Sequence, residues 1–346
     1  MAEIKVVPGT IQLIRMTDAE YFSDQYKDYI SNSKLGLFNA DEGGSPEKFK
    51  TGFKESYSES FELGTAVHTM LLQKDLFHVA DINKPSGKLG VFAEAVYELR
   101  QKGLTIEKSI KQGSVQADYY AKSFSQTRIR TAIKNSLEFY LKRIHFESEL
   151  GKIPIFLSAA LKEKYRGCMV NIHSSDIPRV LYPDGLLQAP EYFNEYVILC
   201  EVDVVFEDKT IRVKLKGKLD NFTLDHESET VTLNDLKTTS KPIDYFMGNY
   251  VKSKENPDEE IWYNGSFQKY RYYRQVGMYL WLLQLALQEL FGHKYKSKVN
   301  MLVVETVPGY NCKVYPVNGK YIAAGLKEFK ELLIKLVEWT AQNPQE

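Results

Sequence analysis

Three consecutive runs decide the fold: YVILCEVDVVF at Tyr196–Phe206, TIRVKLKGKLDNFTL at Thr210–Leu224 and ETVTLNDL at Glu229–Leu236. Each is rich in Val, Ile, Leu and Thr, and the polar segments Glu207-Asp208-Lys209 and Asp225-His226-Glu227-Ser228 between them suit turns, so the spacing predicts three strands in a meander. Downstream, apolar residues recur three to four apart over about Phe267 to Leu290 and again over about Tyr321 to Thr340, which predicts two amphipathic helices. Between them Val299–Val307 predicts a strand, with a second at Asn311–Tyr315. Upstream, the first half of the chain reads mainly helical, including Phe61–Gln73 and about Asp118 to Ile144. Helix, three strands, helix, strand is an α/β arrangement rather than a bundle or a sandwich.

Composition sets the outer limits. The chain has 346 residues, 43% hydrophobic and 26% charged, with 45 basic and 45 acidic side chains, which excludes a disordered, collagenous or supercharged chain. Its length suits two units or one enlarged domain. No apolar run approaches the roughly 20 residues of a membrane helix, and Met1-Ala2-Glu3-Ile4-Lys5 lacks the pattern of a signal peptide, so a cytoplasmic location is expected. Cys168, Cys200 and Cys312 form no CxxC pair, signal neither a disulfide framework nor a zinc knuckle, and read as core packing. The stretches DEGGSPE at Asp41–Glu47 and KSKENPDEE at Lys252–Glu260 read as surface loops, and Ala341–Glu346 as a frayed tail.

Net neutrality hides an uneven distribution. From Arg100 to Arg143 ten basic residues stand against three acidic ones, and Tyr119, Tyr120, Phe124, Phe139 and Tyr140 interleave with them. Basic residues that track phosphates, with aromatics that stack on bases, fit that pattern; a solvated helical face with its aromatics in the core fits it as well. Lys122, Arg128, Arg130 and Lys134 are the candidate DNA contacts in this region.

The chemistry concentrates at the strand ends. Asp220 closes the second run, and Asp235-Leu236-Lys237 closes the third, where alternation sends Asp235 and Lys237 to one side. If the hairpin places Asp220 beside Asp235, two carboxylates and an ammonium meet at one edge of the sheet. Crowded carboxylates call for a cation, and hard oxygen ligands favour magnesium or manganese, which would stabilise charge on a phosphodiester and acidify a bound water. Taken alone, an acid-x-Lys triplet is more often a strand-end ion pair, and it recurs here at Glu3/Lys5, Glu207/Lys209 and Glu328/Lys330. Thr238 and Thr239 follow as hydroxyl donors for a phosphate. On Gly64-Thr65-Ala66-Val67-His68, which opens a helix, His68 is either a structural residue or a ligand from outside the sheet. Gln275 and Tyr279, four apart, share a helix face, either as polar groups at a solvent boundary or as groups of the site.

The order GTAVH at Gly64–His68, GKLD at Gly217–Asp220, DLKTT at Asp235–Thr239 and QVGMY at Gln275–Tyr279 resembles the PD-(D/E)XK nuclease superfamily. More narrowly it is similar to the phage and prophage exodeoxyribonuclease VIII (RecE-like) branch, whose Ser-x-Ser opening Ser31-Asn32-Ser33 resembles. The resemblance implies a restriction-endonuclease-like core over residues 61–340 with a helical, basic insertion at about 85–190, a lead-in over residues 1–60 and a tail at 341–346. It implies Asp220, Asp235 and His68 as ligands of a catalytic Mg2+ or Mn2+, Lys237 as the catalytic lysine, and Gln275 and Tyr279 as the helix motif. Glu201 matches an acid often found on the first core strand or is a surface residue. Many relatives carry Glu where Asp235 stands.

A metal-dependent exonuclease that digests duplex DNA ends 5′ to 3′ for recombination is therefore expected, with a single-strand annealing protein as partner and a ring-like homo-oligomer. An endonuclease working with a helicase, and a catalytically silent DNA-binding or assembly protein on a nuclease core, are the alternatives. Replacing Arg128 and Arg130 together with alanine should weaken DNA binding and flatten its salt dependence; an unaltered slope in a salt series of binding titrations would place the basic stretch away from DNA.

Overall fold

The computed structural model describes residues 2–52, 58–85, 87–119, 134, 138–139, 142–143, 152–183, 190–252 and 260–343. The chain divides into two compact units, residues 57–169 and the remainder, 1–56 with 170–346. Elements are numbered along the chain. The larger unit holds β1 (Glu3–Val6), β2 (Gln12–Arg15), α1 (Asp18–Tyr21), α2 (Asn32–Gly36) and α3 (Pro46–Thr51). It resumes near the end of α7 (Ala159–His173) and continues through α8 (Ile177–Leu181), β5 (Glu191–Phe206), β6 (Lys209–Asp225) and β7 (Thr230–Thr239). Then come β8 (Asn249–Lys252), β9 (Glu260–Tyr263), α9 (Ser266–Lys269), α10 (Tyr272–Phe291), β10 (Lys296–Glu305), β11 (Cys312–Pro316) and α11 (Gly319–Gln342).

The larger unit is built on one mixed sheet in the order β1-β5-β6-β7-β10-β11, with β2 also on β5. Phe206 pairs with Lys209, which leaves Glu207-Asp208 as a two-residue hairpin turn with Glu207 at φ +50°. Because α9 and α10 intervene before the chain returns, β10 runs parallel to β7, from Lys296 against Thr230 to Glu305 against Thr239. Apolar residues of β5, β6, β7 and β10 on one face meet Val276, Met278, Leu282 and Leu283 of α10, and α11 closes over that layer with Phe329, Leu333 and Leu336. Gly277 permits the close helix crossing: a Cβ there would lie 2.5 Å from the backbone nitrogen of Leu326 on α11.

The other face carries a polar ladder. Asn194, Asn221, Asn234 and Asn300, one on each of four adjacent strands, stand in register. Asn221 donates to Asn194 (2.7 Å), Asn234 to Asn221 (2.7 Å) and Asn300 to Asn234 (2.9 Å). Carbonyls of α8 accept the remaining protons, Leu181 from Asn221 and Val180 from Asn234. Asn221 and Asn234 are wholly buried, so a one-residue slip of register would leave amides without partners in a dry layer.

In the smaller unit are α4 (Glu59–Leu72), β3 (Phe77–Asn83), α5 (Gly87–Gln101), α6 (Ile106–Gln116), β4 (Ile153–Leu157) and the start of α7, with β3 and β4 parallel. Phe139 lies edge-on to Phe156 at 5.3 Å and Tyr119 stacks on Phe92 at 5.3 Å, so two of the aromatics among the basic residues serve packing. The Arg143 guanidinium covers the Tyr97 ring and pairs with Glu94 at 2.6 Å.

The structure corrects several expectations. The first half is mainly helical among the described residues, as expected, but it also contributes strands that the sequence did not announce: β1 and β2 join the main sheet and β3 pairs with β4. The helix expected over about Phe267 to Leu290 is broken at Arg271, whose backbone turns left-handed (φ +54°) while its side chain reaches Tyr273 and Glu328. Glu42, in the segment read as a surface loop, lies in a short helical turn and binds Arg274. The helix expected over Asp118 to Ile144 falls largely outside the described residues. Cys168 and Cys200 are buried, whereas Cys312 is half-buried on an edge strand. No helix among the described residues is long and apolar enough to cross a membrane.

Asn234→Ala should lower unfolding free energy by at least about 2 kcal/mol in urea titrations, since buried donors and acceptors on two strands and α8 are left without their partner at about 1–3 kcal/mol each; an unchanged midpoint would mean the ladder fixes nothing.

Candidate active site

The site lies where the sheet opens. Pairing of β6 with β7 stops at Asn221 against Asn234. One step further Asp220 would face Asp235, but there the strands part, and the Asp220 carboxylate accepts the Leu236 N–H at 2.8 Å. Pairing of β5 with β6 skips the same point, running from Asn194 against Asn221 to Tyr196 against Leu219 without Glu195 and Asp220. Glu195 holds a left-handed backbone (φ +59°), costly for a residue with a side chain. Side-chain parity reverses across this break: Val213, Leu215 and Leu219 below it and Phe222 and Leu224 above it all reach the same core. The break therefore lets the strand change the face it presents without disturbing the packing of either half.

Around the opening, charge is dense and dry. Asp235 is only 1% exposed and ion-pairs with Lys237, the two lying on one side of β7. Burial alone would pull the Lys237 ammonium down, but Asp235 and Asp220 outweigh it and raise its pKa well above the ordinary lysine range. Lys237 also sits 5.2 Å over the Tyr272 ring. From α10, Gln275 donates to Asp235 at 3.2 Å and hydrogen-bonds Tyr279, whose phenol burial keeps protonated. The Tyr279 ring lies against Gly217, where a Cβ would approach it to 3.2 Å, which explains the glycine of GKLD. The sequence-predicted Asp220, Asp235, Lys237, Gln275 and Tyr279 are thus brought together.

Glu195 is the residue that sequence reasoning missed. Its carboxylate comes within 4.8 Å of that of Asp220, is 4% exposed and ion-pairs with Lys218, which also binds Asp18 at 2.5 Å. A polar residue interrupting Phe193–Tyr196, a stretch of large aromatics, was the available signal. Glu201, by contrast, stands beside Arg212 at 3.7 Å on the outer part of β5, away from the opening.

Neighbouring residues fix the frame. Arg274, 1% exposed, binds Glu42, Glu328 (3.3 Å) and the Asn32 side chain (2.9 Å), which clamps α10 to α2 and α11 one residue from Gln275. Ser31 caps α2 by accepting the Lys34 N–H at 3.1 Å. The Ser31-Asn32-Ser33 opening therefore acts as a clasp. Thr239 accepts the Lys241 N–H at 3.0 Å and holds the turn after β7, and Thr238 is half-buried on the strand between. His68 is half-buried on α4 of the smaller unit, Lys134 is exposed, and Lys122, Arg128 and Arg130 lie outside the described residues.

Glu195 and Asp220 offer carboxylate oxygens within 4.8 Å of one another, a donor pair that could take part in holding a metal ion.

No family model and no curated protein matches the chain. Among solved structures, a candidate exonuclease from Eubacterium rectale aligns with a TM-score of 0.46 at 13% identity, over 96% of this chain and 88% of that one. Rai1 of Scheffersomyces stipitis, solved with (3'-NADP)+ and calcium, aligns with a TM-score of 0.22 at 12% identity, over 99% and 83%. At these scores the likeness carries no functional weight.

Asp220→Asn keeps an acceptor for the Leu236 N–H but removes the charge. Calorimetric titration with Mn2+ should show affinity reduced at least about tenfold with the thermal midpoint little changed; equal affinity would exclude Asp220 as a ligand.

Proposed function

We propose that the chain is a magnesium- or manganese-dependent deoxyribonuclease on a PD-(D/E)XK core, acting as an exonuclease on duplex DNA ends. The observation that supports this reading is the opened sheet, where the Asp220 carboxylate stands beside the buried Asp235 and its ion pair with the half-buried Lys237. A protein that only binds DNA gains nothing from dry acids where phosphate must approach. Asp220 and Asp235, with Glu195 beside them, would hold the ion. Bound there, it would neutralise charge developing on the scissile phosphodiester.

The chain's own residues supply the rest. Lys237, paired with Asp235, donates hydrogen bonds to a phosphate oxygen, and positions the attacking water or helps deprotonate it. Gln275 fixes the rotamer of Asp235, and the protonated Tyr279 phenol closes the apolar wall behind it. Thr238 and Thr239, which follow Lys237 on β7, would donate hydroxyl hydrogen bonds to a phosphate. Digestion 5′ to 3′, a role in phage recombination, an annealing partner and a ring assembly belong to the same proposal on the strength of the motif order, as does a ligand role for His68.

End-labelled linear duplex should be degraded with Mg2+ and survive with EDTA, while closed circles persist. Cleavage of closed circles at the linear rate would replace the exonuclease with an endonuclease. Asp235→Ala and Lys237→Ala should each lower cleavage at least about 100-fold with DNA binding retained. Unchanged cleavage in either variant removes that residue from the mechanism. His68→Ala should weaken Mn2+ binding, and full affinity would remove His68 from the ligand set.

A further inference from the structure

Directly after the Asp235–Lys237 strand the chain forms a second feature that the cleavage chemistry leaves unused. A cleft of about 300 Å³ lies between the turn at Lys241–Tyr245 and the segment running from the end of β9 into α9, lined by Lys241, Tyr245, Tyr263, Lys269 and Tyr270. Three tyrosines are exposed there, Tyr245 at 39%, Tyr263 at 55% and Tyr270 at 54%, although nothing in folding requires large rings at the surface. Lys241 and Lys269 are exposed and make no ion pair among the described residues, whereas nearby Asp244 is paired with Lys313 at 3.0 Å. Lys269 lies 5.7 Å over the Tyr270 ring, so the cleft presents two lysines among three partly exposed tyrosine rings.

Its floor is rigid. Gly265 passes so close to the carbonyls of Tyr245 and Phe246 that a side chain there would strike backbone, and Gly248 (φ +92°) makes room for the Trp262 ring. Phe267 N–H donates to the Phe246 carbonyl at 2.9 Å and the Gln268 amide to the Met247 carbonyl at 2.7 Å. Tyr245 and Tyr263 meet edge to face at 6.5 Å. A chain of contacts links the cleft to the candidate site: Lys237 sits over Tyr272, and Tyr272 lies 5.8 Å from Tyr270 on the cleft wall. Lys241 follows Lys237 by four residues, a reach of at most about 14 Å.

We infer that this cleft binds single-stranded DNA next to the scissile phosphate, with bases stacked on Tyr263 and Tyr270 and phosphates on Lys241 and Lys269. Stacked bases inside a duplex do not offer their faces to a side chain, whereas an unpaired strand does. Lysine ammoniums on flexible stems suit phosphates spaced along such a strand. The assignment of DNA as the polymer, and of the strand as the one being cut or released, rests on the nuclease reading above.

The test is equilibrium anisotropy of a fluorescent oligo(dT) of about 15 nucleotides on the full chain in EDTA, over a salt series. Tyr263→Leu with Tyr270→Leu should weaken binding roughly 5- to 100-fold at an unchanged salt slope, and the corresponding pair of phenylalanines should bind like the native protein. Lys241→Ala with Lys269→Ala should reduce the slope by about 1.4, roughly 0.7 for each phosphate left unneutralised. Native affinity and slope in all variants would overturn the inference. If the native protein cleaves linear duplex while the variants bind normally, only the cleft is refuted. Binding that follows the prediction without any Mg2+-dependent cleavage supports the cleft and refutes the nuclease reading.

Discussion

The candidate site depends on one constraint, the parting of β6 from both neighbours at Asp220. A continuous ladder would hold the Asp220 and Asp235 side chains in an ordinary cross-strand pair of like charges, which is destabilising. Opening the sheet instead turns Asp220 onto the Leu236 N–H, leaves Asp235 to Lys237 and Gln275, and brings Glu195 up from the other side. Two costs attend this arrangement: a left-handed glutamate and an interruption in strand pairing. The asparagine ladder immediately behind offsets them by fixing the register of four strands at the level of the break.

That pairing of a rigid back with an open front holds the charged residues in their places. Arg274 bonds α10 to α2, to Glu42 and to α11, so Gln275 meets Asp235 from a fixed helix. Gly217 and Gly277 let Tyr279 lie on β6 and α11 lie on α10, which accounts for the glycines of two sequence motifs by packing alone. The same motifs therefore carry both the candidate site residues and the glycines that permit close approach.

Much of this was legible in the sequence, for identifiable reasons. Strands β5, β6 and β7 showed themselves because each is long, rich in branched residues and separated by short polar turns, and α10 and α11 because they keep an apolar stripe. The nearness of Asp235 to Lys237 and of Gln275 to Tyr279 was legible because spacing within a strand or a helix turn fixes relative direction, and that of Asp220 because a hairpin brings it level with Asp235. Glu195 was not, because its place depends on a backbone conformation that no local pattern announces. The Arg274 clasp was hidden too, since its partners Asn32 and Glu42 lie more than 200 positions away. Short strands such as β1 and β2 carry too few residues for alternation to show, and the break at Arg271 follows from a tertiary bond to Glu328, not from helix propensity.

The most direct measurement of the central claim is anomalous scattering from a crystal grown with manganese. The account predicts one ion bonded to carboxylate oxygens of both Asp220 and Asp235. An ion held elsewhere, or by one of the two aspartates without the other, would contradict it.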